Sequence, residues 1–355
     1  MKRRKVNKKG KMTIGGFICL LIIGVVIILG VNSENNKSNV SKHDKAKQNN
    51  QEVKQEEKKL SIIDVDSDSR PYAVMINNIA TVWGYQSGIQ DAYLVYEIIV
   101  EGGYTRLMAV FKDANLDRIG SVRSSRHYFL DYALENDAIY VHFGWSPQAE
   151  ADMTKLGVNN INFMSYNGYT RDTSLNLASE HTAYTSTSKI LDGASYYNYR
   201  TTTSKKTLLN YSVDEVDLSK FDDSKVANKV YIGYSNSRNT SYEYDSENKV
   251  YKRFQNDKAH TDYVTKNQYT AKNIIVYQVS NSTIPGDDKG RQTLDNIGSG
   301  DGYYISNGYA VPIKWSKTSR DSQTVYKYLN GKEIDVNDGN TFIQIQPVGQ
   351  NLTIE

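Results

Sequence analysis

The chain has 355 residues, is 39% apolar, and carries a formal net charge of +3 and a single cysteine, Cys19. That charge is divided: residues 1–11 hold seven basic side chains and no acid, residues 32–59 carry +2, and residues 60–355 are left with −6. A mildly acidic globular part argues against nucleic-acid binding, and one cysteine in an apolar stretch excludes disulfides, thiolate ligands and a cysteine nucleophile elsewhere.

After a basic tail over residues 1–12, which the charge bias places in the cytoplasm, Thr13 to Val31 runs for nineteen residues without a charge. As a helix it spans ~28 Å, near the thickness of a bilayer's hydrocarbon core. The expected element is an uncleaved transmembrane anchor over 13–31 with the bulk of the chain outside the cell, so the membrane is the first expected partner. Phe17 and Ile18 are too large for the site before a lipid-bearing Cys19, and only Val31-Asn32-Ser33 is passable as a cleavage site. Residues 32–68 follow as a disordered tether, most clearly the Asn-, Lys-, Gln- and Glu-rich 32–59, whose few apolar side chains cannot offset the entropy of ordering.

An α/β domain with a mixed sheet and helices is expected over 69–205. PYAVMINN reads as a buried strand, and Ile89 to Val100 as a mostly buried helix, with strand as the alternative because of its β-branched content. Gly102-Gly103 ends that element. TRLMAVFK is a strand, SVRSSRHYFLDYALEND a helix, AIYVHFG a strand, and SPQAEADMTKLG a helix with Ser146 as N-cap and Pro147 in its first turn. NNINFMS is a strand, and 166–205 a Ser/Thr/Tyr-rich excursion with a short helix near Ser186 to Leu191. A β-rich domain over 226–355 contains short runs such as KVYIGYS, NIIVYQVS and TFIQIQPV between turn signals.

Charge concentrates between Glu97 and Arg126. On a helix Glu97 and Glu101 share one side, and such a carboxylate pair could divide into acid and base, with His142 assisting. Arg106 lies just beyond the Gly-Gly turn. Arg123, Ser124 and Arg126 fall in the first turn of the next expected helix, where backbone N–H groups and guanidiniums would form an anion site. Arg171 and His181, in the long excursion, are further candidate ligand contacts. His260-Thr261-Asp262 reads as a turn. No metal-ligand spacing occurs, and Gly-rich Ile297 to Tyr304 lacks the Lys and helix of a phosphate loop, so no metal or cofactor is expected.

RPYAVMINN, QSG, YEIIVEGGYTR, IGSVRSSRHYF, VHFGWSP and HTAYTS, in that order, with NIIVYQV, NIGSGDGYYISNGYAVPIKW and DGNTFIQI further on, resemble the DUF3048 family over essentially residues 70–350. The resemblance implies an exported, envelope-associated protein of Gram-positive bacteria with this two-part layout, and it implies no particular reaction. Two departures stand out. The family's lipidated cysteine is missing, and Asn77 stands where Asp is more frequent. Three readings follow. The protein binds an anionic wall component or a wall-synthesis partner, it acts on wall glycan or crosslinks through Glu97 or Glu101, or it is an interaction module whose charges only hold the fold.

Overall fold

The structure, a computed structural model, describes residues 58–355. The apolar span 13–31 and the tether up to residue 57 lie outside the described residues. No helix among the described residues is long and apolar enough to cross a membrane. Residues 58–68, expected as the end of the tether, instead pack on the body. Ile63 is buried, the Ser61 and Ile62 amides donate to the Asp338 carboxylate, and Lys112 Nζ donates to Ser67 O at 2.7 Å. The apolar Leu60 to Ile63 segment supplies what the polar tether lacks.

The described residues, 58–355, belong to one compact unit built on an 11-stranded mixed sheet that draws strands from both halves of the chain. In chain order its first members are β1 (Tyr72–Asn77), β2 (Leu94–Ile99) and β3 (Thr105–Phe111), every residue of which is buried. β3 lies antiparallel between β1 and β2. β2 also pairs in parallel with strand Thr341–Pro347, which pairs in parallel with Asn273–Val279. β4 (Ile119–Gly120) leaves this sheet, while β5 (Ile139–His142) and β6 (Asn160–Asn162) extend it in parallel beyond β1. β7 (Thr170–Arg171), β8 (Ala183–Thr185) and β4 make a small three-stranded sheet. A 6-stranded sheet, including Lys229–Ser235, Arg238–Asp245 and Val250–Gln255, lies against the large one.

Helix is scarcer than expected. α1 (Phe129–Glu135), α2 (Pro147–Lys155) and α3 (Thr187–Tyr196) are the α-helices among the described residues. α2 begins as its sequence indicates, with Ser146 Oγ accepting from the Ala149 amide. The helix expected over Ile89 to Val100 is a 3-10 turn, Ile89–Asp91, followed by β2. LVYEII is apolar on nearly every side because neighbours cover both faces of the sheet, a pattern shared by buried strands and buried helices. The helix expected from Ser121 starts only at Phe129, because neighbouring backbone claims Ser121–Ser125 first. Asn77 N donates to Ser121 O at 2.9 Å, Arg123 N to Met75 O at 2.9 Å, and Ser125 N to Gly144 O at 2.9 Å.

About half of the described tyrosines are buried, among them Tyr96, Tyr128, Tyr140, Tyr242 and Tyr304, while others such as Tyr104 and Tyr196 are exposed. Two of the buried hydroxyls satisfy interior acceptors: Tyr96 donates to Glu135 Oε1 at 2.7 Å and Tyr128 to Ile99 O at 2.7 Å.

Between the two sheets lies a polar layer centred on Glu97. Glu97 and Arg253 are both 0% exposed, and Arg253 Nη2 donates to Glu97 Oε2 at 2.8 Å. Thr105 Oγ1 donates at 2.7 Å and Asn78 Nδ2 at 3.1 Å to the other carboxylate oxygen, Thr240 Oγ1 lies within 3.1 Å of both, and Arg238 Nη2 stands 3.9 Å away. His260, expected in a turn, is fully buried here, with Arg253 Nε donating to its Nδ1 at 3.1 Å. Burial pushes the Glu97 carboxyl up, but the charges of Arg253 and Arg238 outweigh it and hold the carboxyl below its usual range. Removing one partner of such a pair leaves an uncompensated buried charge. Arg253→Met should therefore cost ~3–5 kcal/mol in urea unfolding. The double variant with Glu97→Gln should lose less than the sum of the single changes. A loss under ~1 kcal/mol for Arg253→Met would mean that the pair does not hold the sheets together.

Candidate functional site

β3 divides the charged residues by alternation. Thr105 points toward the 6-stranded sheet and joins Glu97, while the next residue, Arg106, points to the opposite face. Glu97 and Glu101 therefore do not work as a pair. Glu97 is sealed between the sheets, and Glu101 has left the strand for a 3-10 turn, Glu101–Gly103. Gly102 and Gly103 adopt φ of 70° and 71°, and a Cβ on Gly103 would meet Ser235 Oγ at 2.9 Å. Ser235 Oγ donates to Gly103 O at 2.9 Å, so the second sheet fixes the turn that presents Glu101.

On that face the structure gathers Glu101, Arg106, Arg123, Ser124, Arg126 and His181. Arg126 clamps Glu101 with two donors, Nε at 2.8 Å to Oε2 and Nη2 to Oε1. Arg106 Nη2 reaches Oε1 at 3.2 Å and its Nη1 donates to Ser124 O at 2.6 Å. Ser124 takes part through its carbonyl, and its backbone is held extended between β1 and the Phe143–Ser146 segment rather than at a helix N-terminus. The expected helix-dipole contribution at Arg123, Ser124 and Arg126 is thus absent: the guanidiniums alone supply the positive charge. Arg123 turns outward to Glu180, donating at 3.0 Å to Oε1 and at 3.2 Å to its carbonyl. The His181 ring lies 3.0 Å from the Asn77 amide through Nδ1 and 3.8 Å from Glu180. Arg171 donates to Ser179 O and lies over the rings of Phe143 and Tyr169.

Exposure decides which of these a ligand can reach. The side chains of Arg106 and Arg126 are 8% exposed, and those of Glu101 and Arg123 are 24% exposed. Glu101 and Arg123 are therefore the more exposed members, and Arg106 and Arg126 are nearly buried. Burial pushes the Glu101 carboxyl up, yet the Arg126 hydrogen bonds and the Arg106 and Arg126 charges prevail and bring it to about 2. Burial, with Arg126 and Arg123 nearby, lowers Arg106 to about 9, which leaves it charged at neutral pH. Burial and the Arg123 charge lower His181, so its ring is neutral there.

His142 does not join the cluster. It is fully buried, with Nδ1 2.8 Å from Gly144 O and Nε2 3.1 Å from Asn160 Oδ1, and burial lowers it to about 4. Asn77, marked in the sequence only as a departure from the family's more frequent Asp, and Glu180, which carries no sequence signal of its own, complete the cluster. The nearest hint was the position of Glu180 beside His181.

Fold and site together define a strand-dominated protein, built on an 11-stranded and a 6-stranded sheet, with a guanidinium-rich cluster on the large sheet's outer face. Residues 60–200 match the family described as "Protein of unknown function (DUF3048) N-terminal domain", and residues 230–343 match the DUF3048 C-terminal domain. The chain belongs to the DUF3048 family. It is similar to YerB of Bacillus subtilis (strain 168), a protein named as a candidate lipoprotein, with 28% identity over 282 residues and 77% of each chain covered. The crystal structure of YerB from Bacillus subtilis matches with a TM-score of 0.69 at 26% identity, covering 80% of this chain and 94% of that one.

The Glu101 clamp has a pH signature. Its folded-state pKa, about 2, lies below the ordinary value of 4.5, so its stabilisation is fully present above the ordinary value and is lost as pH falls toward 2. The stability difference between the wild type and Glu101→Gln should be level above about pH 5 and shrink between about pH 5 and pH 2. Paired denaturant titrations across pH would measure it. A difference that stayed constant down to pH 2 would show that the carboxylate charge contributes nothing.

Proposed function

We propose that the protein is exported and envelope-associated, anchored by its N-terminal apolar segment, and that it binds an anionic group of a wall component or wall-synthesis partner at Arg106, Arg123 and Arg126. One observation carries the reading. Three guanidiniums, of which Arg123 is the most exposed, gather beside two carboxylates, Glu101 and Glu180, so positive charge is left over on a body whose net charge is negative. The cluster is held in place before a ligand arrives, which reduces the cost of ordering on binding. The naming of YerB as a candidate lipoprotein supports the location outside the cytoplasmic membrane, where wall polymers offer phosphates and carboxylates.

Proton states also favour holding an anion over acid–base work. Glu101 is ionised and engaged, Glu97 is sealed and ion-paired, and His142 is sealed and neutral. Arg123 is the residue to test, because its partner Glu180 is 60% exposed and such rim pairs contribute little stability. Arg123→Ala should reduce retention on a purified anionic wall polymer about tenfold, a loss of ~1.4 kcal/mol, while unfolding free energy stays within ~0.5 kcal/mol of wild type. Added salt should weaken wild-type retention in the same direction. Unchanged, salt-insensitive retention would remove the binding role, and a large stability loss with unchanged retention would favour the interaction-module reading.

A further inference from the structure

The outer face of the 6-stranded sheet carries a cleft of different character from the guanidinium cluster. Strands Leu352–Ile354, Lys229–Ser235, Arg238–Asp245 and Val250–Gln255 lie side by side there, in that order. Val230, Ile232, Tyr242 and Arg253 are buried on the inner face, so the residues alternating with them face outward. Register sets these outward residues in rows across the strands. The middle row is Thr353, Tyr231, Ser241 and Phe254, a small hydroxyl alternating with an aromatic ring. On one side run Glu355, Lys229, Glu243 and Lys252, alternating in sign, with Lys229 Nζ 3.4 Å from Glu243. On the other run Asn351, Gly233 and Asn239.

This face is hollow. A cavity of about 410 Å³ has Tyr231, Ser241, Thr353, Asn351, Glu243 and Asp257 in its lining. Gly233 shapes it, because a Cβ there would lie 3.7 Å from Tyr231 Cε1 and 3.2 Å from Asn351 O. The half-exposed Tyr231 ring thus leans along the sheet over the glycine and keeps one face toward solvent. Phe254, also half-exposed, continues the floor past Ser241. The two rings stand two strands apart, roughly 9–10 Å, a distance that two linked sugar rings span.

The lining sets the ligand class. It holds Lys229 against Glu243, Asp257 and Glu355, so it repels the anions that the guanidinium cluster would attract. A purely apolar ligand would strip water from the carboxylates and hydroxyls and give them no partner. A sugar satisfies both kinds of group, with C–H faces on the aromatic rings and hydroxyls on the carboxylates, amides and side-chain hydroxyls.

We propose that this cleft binds an uncharged glycan strand, laid across the sheet from Tyr231 toward Phe254. It is separate from the anion site proposed above, and either can fail alone.

The test titrates the full-length chain, in a neutral detergent without a sugar head group, with N-acetylglucosamine, its linear hexamer and, as a cationic control, tetra-lysine. The hexamer should bind at least about tenfold tighter than the monomer, because only the hexamer reaches both rings. Tyr231→Ala and Phe254→Ala should each weaken hexamer binding about tenfold, whereas Tyr231→Phe, which keeps the ring, should stay within about threefold of wild type. Ser241→Arg fills the space between the rings from a half-exposed position, and it should abolish binding even where an alanine variant folds poorly. Arg123→Ala should leave hexamer binding unchanged, and Ser241→Arg should leave retention on an anionic wall polymer unchanged, which separates the two sites. A hexamer that binds wild type no better than the monomer, or whose binding survives Ser241→Arg, overturns the glycan site and leaves the anion site standing. Tetra-lysine binding more tightly than the hexamer, and lost in Asp257→Asn, overturns it in favour of an amine ligand.

Discussion

The carboxylate of Glu97 sits where water cannot reach it, and the arrangement of the two sheets answers to that fact. An ionised group in such a place is tolerated only when paired and hydrogen-bonded. Its partners come from the 6-stranded sheet, Arg253 and Thr240, and from the large sheet and its loop, Thr105 and Asn78. An aliphatic layer could slide by a residue at modest cost, whereas this layer has one register in which every donor finds its acceptor. The buried pair thus specifies how the sheets meet, and further contacts follow from that placement: Ser235 on Gly103, Asp262 on the Gly88 amide, and Tyr263 N on Gln86 O.

The outer cluster depends on this inner one. Ser235 belongs to the sheet that Arg253 anchors, and it fixes the Gly102-Gly103 turn from which Glu101 projects. Glu101 then sets the planes of Arg126 and Arg106, whose remaining donors lock onto the Ser125 and Ser124 carbonyls. Tyr140, through its bond to Ser125 Oγ at 2.9 Å, and Tyr128, through Ile99 O, support this segment from below. The guanidiniums are therefore oriented by rigid backbone on three sides, which is the kind of support a binding site needs to keep its geometry.

Much of the scaffold is legible in the sequence, and the departures have physical causes. Ser146-Pro147 encodes the start of α2 because a cap is a local interaction, satisfied within a few residues. The runs around Val74, Val110 and Ile343 declare strands by composition and turns. β2 is not legible in this way: LVYEII lies between two strands with both faces of the sheet covered, so it is apolar on every side, and its own pattern cannot choose between helix and strand. The segment at Arg123 departs from its helical pattern because tertiary hydrogen bonds to β1 outcompete helix propensity. Arg106, Arg123 and Arg126 were found by the cost of charge inside apolar sequence, a principle that does not reveal partners. Arg253 lies 156 residues from Glu97, and no local pattern links them.

Two glutamates four residues apart thus end in opposite roles, and the separation follows from the turn between them. Glu97 remains in the strand, faces the second sheet and meets a fully buried guanidinium. Glu101 passes into the Gly-Gly turn, faces outward and meets guanidiniums with an opening beside it. In the closed site a departing ion would leave bare charge, so the pair stays fixed. In the outer pair Glu101 keeps partial access to solvent, so loss of its charge costs less than at the sealed Glu97. The same chemical pairing is therefore sealed on one face of the sheet and partly open to solvent on the other.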